Sequence, residues 1–401
     1  MTAPLDGILV ADFSRVLAGP LATMTLADLG AAVVKVERPG TGDDTRVWGP
    51  PWTERSSSYY ECANRGKYSL TLDLANPVDR KRAVELARRA DVLVENHRPG
   101  SLAKFGLDYP SVAAVNPGVV YCSITGFGSG AGAGRPGYDF LVQAVGGLMS
   151  ITGDFDGEPR KVGVALVDVL TGKDAVIGVL AALTARDRTG RGDHVEVELL
   201  SSLLAGLVNQ ASSYLTTGVS PRRMGNKHPS ITPYETLRCA DGEFAVACGN
   251  DGQFRRLAQA LGRAELADDP RYATNPERLR HREELVAGLE AALFAETAET
   301  WERRLADAGV PAGRVGDIGS GIACAESLGL EPTLDLGAGY PRQMRHPVHY
   351  REAVLPPVAP PPDLGQDDDL LTGWLDAPTS PLPQPPGPAA GPRRPRIDLG
   401  S

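Results

Sequence analysis

The chain has 401 residues, 42% of them hydrophobic, and a formal net charge of −9. That length exceeds one ordinary core, so two domains are expected, and the apolar share suffices to bury both. An acidic chain is a poor general binder of nucleic acid or of membrane surfaces, so neither partner is expected and any anionic ligand needs a local cationic pocket.

Ile8 to Phe13 is a short apolar run that reads as a strand. Gly19-Pro20 punctuates it and opens a helix over Leu21–Leu29, since proline suits the first helical turn. The helix stops at Gly30, and Ala32–Val36 completes a βαβ unit. Further strand-like runs lie at Tyr68–Leu74, Asp91–Val94 and Val119–Ile124. Between the first two, Asp79–Arg89 places Ala83, Leu86 and Ala87 on one helix face. Val176–Ala185 is an apolar helix ended by Thr189-Gly190-Arg191-Gly192; His194–Leu200 alternates as a strand and leads into a helix near Leu203–Val208. Such alternation predicts an α/β layer structure around a mainly parallel sheet.

From Gly225 the character changes. Short strands such as Glu243–Ala247 are followed by charged helices over Glu277–Phe294 and Thr297–Ala308. The expected organisation is a large domain beginning with residues 1–224, a smaller α+β domain over 225–330, a segment 331–375, and a tail 376–401. That tail is rich in proline and has too few apolar anchors to fold, so it is expected to be disordered.

The five cysteines, Cys62, Cys122, Cys239, Cys248 and Cys324, show no Cys-x-x-Cys spacing, and the six histidines do not cluster. Neither a disulfide framework nor a metal site is expected. Met1 to Leu9 lacks the pattern of a signal peptide and no apolar run is long enough to span a membrane, so a reducing cytoplasm is the expected compartment. The turn after Val10 has no G-x-G-x-x-G, nor does Gly126–Gly137. Gly172-Lys173 is followed by Asp174 rather than Ser or Thr, and there is no G-x-S-x-G. Dinucleotide, P-loop and serine-hydrolase chemistry lose their main support.

Asp168 stands out among Val162, Val164, Ala165, Leu166, Val167, Val169 and Leu170. An ionised carboxylate is costly there, and its pKa should rise unless it is hydrogen-bonded. It reads equally as an N-cap of the following helix, a role open also to Thr171 and Asp174, and as a nucleophile able to attack a thioester carbonyl. Oxyanion donors could come from the turn Cys248-Gly249-Asn250-Asp251-Gly252, which also reads as an ordinary loop after a strand. Cations for a phosphate-bearing ligand lie at expected strand ends: Arg38, and Arg98 followed by Lys104. Each of these also reads as solvated surface charge.

Taken together, several stretches resemble the class III CoA-transferases, which include formyl-CoA, carnitine and dicarboxylate CoA-transferases and the α-methylacyl-CoA racemases. They include Asp12-Phe13-Ser14-Arg15-Val16-Leu17-Ala18-Gly19-Pro20, Val34 to Gly40, Val94-Glu95-Asn96, Gly126-Phe127-Gly128, Gly137-Tyr138-Asp139, and Asp168 with Thr171-Gly172. Thr189 to Gly192, Gly225-Asn226, Pro233-Tyr234, Gly249-Asn250-Asp251, Gly309-Val310-Pro311 and Leu364-Gly365-Gln366 follow in order. The resemblance implies that Asp168 is the nucleophile, forming an aspartyl mixed anhydride and an aspartyl-CoA thioester. It implies CoA contacts at Val16, Ala18, Arg38, Leu72, Asn96, Lys104 and Tyr138. It further implies a Rossmann-like large domain completed by the C-terminal segment, a small domain, and two chains interlocked as a homodimer. Coenzyme A is then a substrate, with no resident cofactor. Lys104 stands where formyl-CoA transferases carry arginine, and Leu17 where they carry glutamine, which speaks against oxalate or formate as substrate.

Two rivals remain at this point. A racemase must move an α-proton; racemases of the family carry His-Asp where this chain has Tyr138-Asp139, and a tyrosine is a poor base near neutral pH. A non-catalytic CoA-binding protein would not need Asp168. Segments such as Gly42-Asp43-Asp44-Thr45-Arg46, Trp48-Gly49-Pro50 and Gly147 to Gly153 most resemble succinyl-CoA-dependent transferases acting on glutarate and 3-hydroxy-3-methylglutarate. A dicarboxylate leaves one carboxylate ionised in the site. Arg15 and Arg46 are the candidates to receive it, unless both pair with local acids such as Asp43 and Asp44.

Overall fold

The computed structural model describes residues 2–337, 339–377 and 382–383. The described residues divide into two compact units: those within 1–148, 161–219 and 331–383 form the larger, and Met149–Arg160 with Ser220–Leu330 the smaller.

The larger unit is built on six strands: β1 (Leu9–Asp12), β2 (Ala32–Glu37), β3 (Lys67–Thr71), β4 (Val92–Glu95), β5 (Val120–Thr125) and β6 (His194–Glu198). They lie in the order β3-β2-β1-β4-β5-β6, all parallel, so the expected α/β class with a parallel sheet holds. A parallel sheet needs both faces covered, and its strands are therefore apolar on both sides. Val10, Val33 and Val92 point to the face covered by helices α1 (Ala18–Asp28) and α4 (Leu166–Thr189). Ala11, Val34 and Leu93 point to the other, covered by α2 (Pro77–Arg89) and a C-terminal helix, α8 (Asp368–Asp376).

Helix α4 begins ten residues before the apolar segment that predicts it. Its buried stripe, Val167, Thr171, Ala175, Val176, Val179 and Leu183, keeps helical spacing throughout, while Lys173 and Asp174 face solvent. Asp168 therefore lies inside the first turn of the helix, not ahead of it, and Thr171 and Asp174 are mid-helix rather than caps. The helix ends at Gly190, whose φ of 69° is the left-handed cap that glycine adopts at no steric cost. Strand β6 stops at Glu198, because Leu199 opens helix α5 (Leu199–Gly206), followed by α6 (Val208–Thr217).

The free edge of β3 is closed by carboxylates instead of another strand. Ser69 N–H donates to Asp367 (2.9 Å) and Thr71 N–H to Asp368 (2.6 Å), while Leu371, Trp374 and Leu375 of α8 enter the core. Of the tail expected to be disordered, 376–401, only residues 376, 377, 382 and 383 are described. There Leu382 packs on the same core and the Pro383 carbonyl accepts a hydrogen bond from the Tyr68 hydroxyl (3.1 Å); the rest lies outside the described residues.

The smaller unit holds an antiparallel sheet, β7 (Tyr234–Cys239), β8 (Gly242–Ala247) and β9 (Ala312–Arg314), packed through Phe244, Phe254, Leu289 and Trp301. Helix α7 (Asp251–Ala260) follows β8. The single helix expected over Glu277–Phe294 is two, Asn275–Arg280 and Arg282–Leu293, broken at His281. Arg278 and Arg282 are both buried, Arg278 donating to the carbonyls of Thr232 and Tyr272, so the break turns two guanidinium groups inward.

Candidate active site

In the strand order above the chain reverses direction across the sheet between β1 and β4, and in such sheets ligands sit in the crevice at the carboxyl ends of those two strands. The segment leaving β1 is held there by side chains of its neighbours. His97 Nε2–H donates to the Phe13 carbonyl (3.1 Å); burial and the Arg15 charge push this imidazole down to about 4, so it stays neutral. Lys35 Nζ donates to the Ser14 carbonyl (3.1 Å). The Asn96 amide accepts from Arg15 N–H (2.8 Å) and donates to the Arg15 carbonyl (2.7 Å). Val16 N–H donates to the Asp43 carboxylate (3.2 Å). Val16 itself has a φ of 71°, a conformation that β-branched residues avoid.

Beneath this turn lies a buried ionic layer. Lys67 pairs with Asp12 (3.0 Å) and Lys35 with Asp43 (2.9 Å), all four side chains essentially inaccessible. Burial alone would raise the Asp12 carboxyl, but the Lys67 and Lys35 ammonium groups outweigh it and hold it at about 2. Burial brings Lys67 down to about 8 against the pull of Asp12.

Helix α4 carries Asp168 in its first turn and reaches the start of α1 at Gly172. Gly172, one turn further along that helix and on the same face, sits against Ala18: a Cβ there would stand 2.8 Å from the Ala18 carbonyl oxygen. Burial, then the nearby Asp139 carboxylate, pushes the Asp168 carboxyl up to about 7. The cap of α4 is not Asp168 but Asp139 from helix α3 (Asp139–Val145), which accepts from Val167 N–H (2.8 Å) and Asp168 N–H (3.4 Å). Gln143 locks this arrangement, donating to Asp139 (2.7 Å) and accepting from Val162 N–H (2.9 Å). The chain reaches α3 through a pinched loop: a Cβ on Gly126 would lie 2.6 Å from Gly137 Cα, so only glycines permit the crossing that brings Tyr138 and Asp139 back over β5. Tyr59 completes the setting. Burial first, then the charge of Asp168, pushes its hydroxyl up to about 12, so it remains a neutral donor beside the nucleophile candidate.

The sequence-predicted residues divide accordingly. Arg15, Val16, Ala18, Asn96 and Arg38 meet at the crevice, and Arg38 and Arg15 both pair with Asp44 (2.5 and 3.2 Å). Arg15 Nε is buried without a hydrogen-bond partner, whereas Arg46 spends its donors on Glu37, Tyr60 and the Pro362 carbonyl and is scaffold. The Leu72 side chain is buried in the core, leaving only its backbone for a ligand. Asn96 has both ends of its amide engaged by Arg15. Arg98 lines a separate cavity of about 200 Å³ with Glu95, Asp108, Tyr109 and His194, and Lys104 is exposed over the Phe105 ring. Tyr138 is 60% exposed. Gly249, Asn250 and Asp251 belong to the smaller unit. There Asn250 caps α7 by accepting from Gln253 N–H, Gly249 N–H donates to the Gln253 side chain, and Asp251 pairs with Arg278. Sequence reasoning did not single out Tyr59, Gln143 or the capping role of Asp139, because Asp168, Val162 and Val167, on which they act, lie 19 or more residues away in the chain. The Gly137-Tyr138-Asp139 triplet was the one available signal.

The model of CoA-transferase family III matches residues 5–368. The chain belongs to CoA-transferase family III. It is 44% identical to a succinate–glutarate CoA-transferase of Agrobacterium fabrum, over 93% of this chain and 96% of that one. It is 40% identical to the succinyl-CoA:glutarate CoA-transferase of Homo sapiens, covering 90% and 84%. The crystal structure of a CaiB/BaiF family protein from Brucella suis superposes with a TM-score of 0.84 at 44% identity, covering 94% of this chain and all of that one. As an acyl-CoA:carboxylate CoA-transferase of this family, the protein handles CoA thioesters as substrates. Among the described residues no group of three His, Cys, Asp or Glu is arranged to hold a metal ion, and no helix is long and apolar enough to cross a membrane.

Proposed function

We propose that the protein moves coenzyme A from succinyl-CoA to a second dicarboxylic acid, with Asp168 as the nucleophile. The observation that carries this reading is a half-buried carboxyl in the first turn of α4, one turn before the Gly172 that packs on Ala18, in a chain 44% identical to a glutarate CoA-transferase; burial pushes that carboxyl up to about 7. The ionised Asp168 attacks the thioester carbonyl; the C–S bond breaks, leaving a succinyl-aspartyl anhydride and CoA thiolate. The thiolate attacks the aspartyl carbonyl and succinate leaves. The acceptor carboxylate then attacks the aspartyl-CoA thioester, and the released thiolate takes the acceptor acyl group, freeing Asp168. Each step splits the exchange into smaller barriers. No α-proton moves in any of these steps, which separates the transfer from a racemisation.

Arg15 pairs with Asp44 through Nη1 but keeps a buried Nε without a hydrogen-bond partner, which supports it, rather than Arg46, as the partner of the distal acceptor carboxylate. Arg38, Arg98 and Lys104 supply the cations for the nucleotide part of CoA; the Gly249–Asp251 turn, whose Gly249 N–H and Asn250 side chain are taken up within the smaller unit, is kept as the sequence candidate for oxyanion donors. A homodimer is supported by exposed apolar side chains on α5 and α6, among them Leu204, Val208, Tyr214 and Leu215. The five unpaired thiols support a reducing, cytoplasmic setting.

The test is a donor-by-acceptor screen with succinyl-CoA against glutarate, succinate, butyrate and hexanoate, run beside mass spectrometry of the trapped enzyme. CoA or acyl adducts on Asp168 and a preference for glutarate over butyrate are expected. Equal use of the monocarboxylates would overturn the dicarboxylate assignment, and full turnover by Asp168→Ala would overturn the nucleophile.

A further inference from the structure

The turn from Phe13 to Val16 is fastened at almost every backbone polar group, mostly by residues of β2, β4 and the loops that follow them. Phe13 N–H donates to the Val94 carbonyl and the Phe13 carbonyl accepts from His97. Ser14 N–H donates to Asp12 (2.9 Å), and the Ser14 carbonyl accepts from Lys35. Arg15 is gripped at both N–H and carbonyl by Asn96, and Val16 N–H by Asp43. Gly19 seals the far side: a Cβ there would stand 2.3 Å from Ser14 Cβ. A valine at a φ of 71° does not hold that conformation unaided, since its branched side chain crowds the backbone; the surroundings must impose it. The two contacts that bracket the left-handed residue are the Asn96 amide on Arg15 and the Asp43 carboxylate on Val16.

We infer that Asn96 and Asp43 are positioning residues of the transfer reaction, which hold Val16 left-handed and so aim the Val16–Ala18 turn at Asp168. The inference rests on Asp168 being the nucleophile. It gives Asn96 a role different from that of a CoA contact: both ends of its amide are consumed by Arg15, as a neighbouring strand would consume them, so little of it is left for a ligand. Asp43 can serve because it is kept ionised in the interior. Burial opposes this, but Lys35 and the Thr45 backbone and hydroxyl donors hold its carboxyl below the usual carboxylate range. Released from the two grips, Val16 relaxes to negative φ, and the first turn of α1 moves away from Gly172 and Asp168.

Asn96→Ala is the primary variant, because it removes the grip without stranding a charge; Asp43→Asn takes the ion-pair partner from the buried Lys35 ammonium and so threatens folding itself. The rescue variant is Val16→Gly, since glycine adopts positive φ at no cost. Four proteins are compared: wild type, each single variant and the double variant. CoA affinity is measured by calorimetry and kcat with succinyl-CoA and glutarate. Asn96→Ala should lower kcat at least tenfold while CoA affinity changes less than threefold. In the Val16→Gly background the same substitution should cost at least three times less in kcat, a non-additivity that two independent sites would not show. Equal losses in both backgrounds, or a loss confined to CoA affinity, would overturn the inference and make Asn96 an ordinary ligand contact. Retained turnover in Asp168→Asn would instead sink the nucleophile assignment, so the two failures are distinct.

Discussion

Replacing Asp168 by asparagine should make the protein more stable while abolishing transfer. Wild type holds a carboxyl whose folded-state pKa, about 7, lies well above its ordinary 3.8, mainly because burial penalises the charge. At 1.36 kcal/mol per pH unit that difference corresponds to about 4 kcal/mol of destabilisation by the ionised form. The side chain is only half-buried, so solvent screening brings the expected effect to about 1–2 kcal/mol. The sign follows from proton uptake: between pH 4 and pH 7 the folded state keeps a proton that the unfolded state has lost, so wild-type stability falls as pH rises and levels off above 7. Asparagine, which does not titrate, removes this slope. Urea denaturation of both proteins at pH 5, 6, 7 and 8.5 should show the advantage of Asp168→Asn widening up to pH 7 and then holding constant. A variant less stable than wild type at pH 8.5, or an offset independent of pH, would refute the account of a carboxylate kept in a hostile site for its reactivity.

Three further outcomes are expected. Because the protonated acid cannot attack, kcat/KM should fall about tenfold per pH unit below about 7 and reach a plateau above it; a flat profile from pH 5.5 to 8 would exclude Asp168 as the group that must be ionised. Arg38→Ala should raise the KM for acyl-CoA about tenfold, the scale of one charged hydrogen bond, and more at low salt than at high; unchanged KM would reduce Arg38 to a surface partner of Asp44. Gly172→Ala should lower stability by about 1–3 kcal/mol as its methyl group meets the Ala18 carbonyl, and lower kcat by more than that loss explains, measured by denaturation and turnover at a temperature where the variant remains folded.

Much of the large unit could be read from the chain, because its strands are short apolar runs separated by helices with clear stripes. Ala32–Glu37 and His194–Glu198 fall within a residue or two of expectation. Asp168 was conspicuous for a physical reason that survives, an acid among aliphatic neighbours. Its place within the helix was hidden because no polar residue precedes it in Val162–Val167 to mark a helix start, and the cap comes from Asp139, 28 residues before Val167. Arg46 and Asn96 show the opposite limit. Both residues look available in sequence, and both are committed by partners that only the folded chain brings near, Glu37 and Arg15. The strained Val16 has no local signature, since nothing about a valine announces a positive φ.

The carboxylates that close the β3 edge have a consequence for how the chain is made. Ser69 and Thr71 emerge from the ribosome some three hundred residues before Asp367 and Asp368, and the whole smaller unit is synthesised in between. Throughout that interval the nascent sheet presents an unpaired strand to whatever chain lies nearby, and open edges recruit other strands. Polypeptides that stop short of α8 should therefore be the ones that clump during expression, and a chaperone engaging the nascent chain would find its footing at β3.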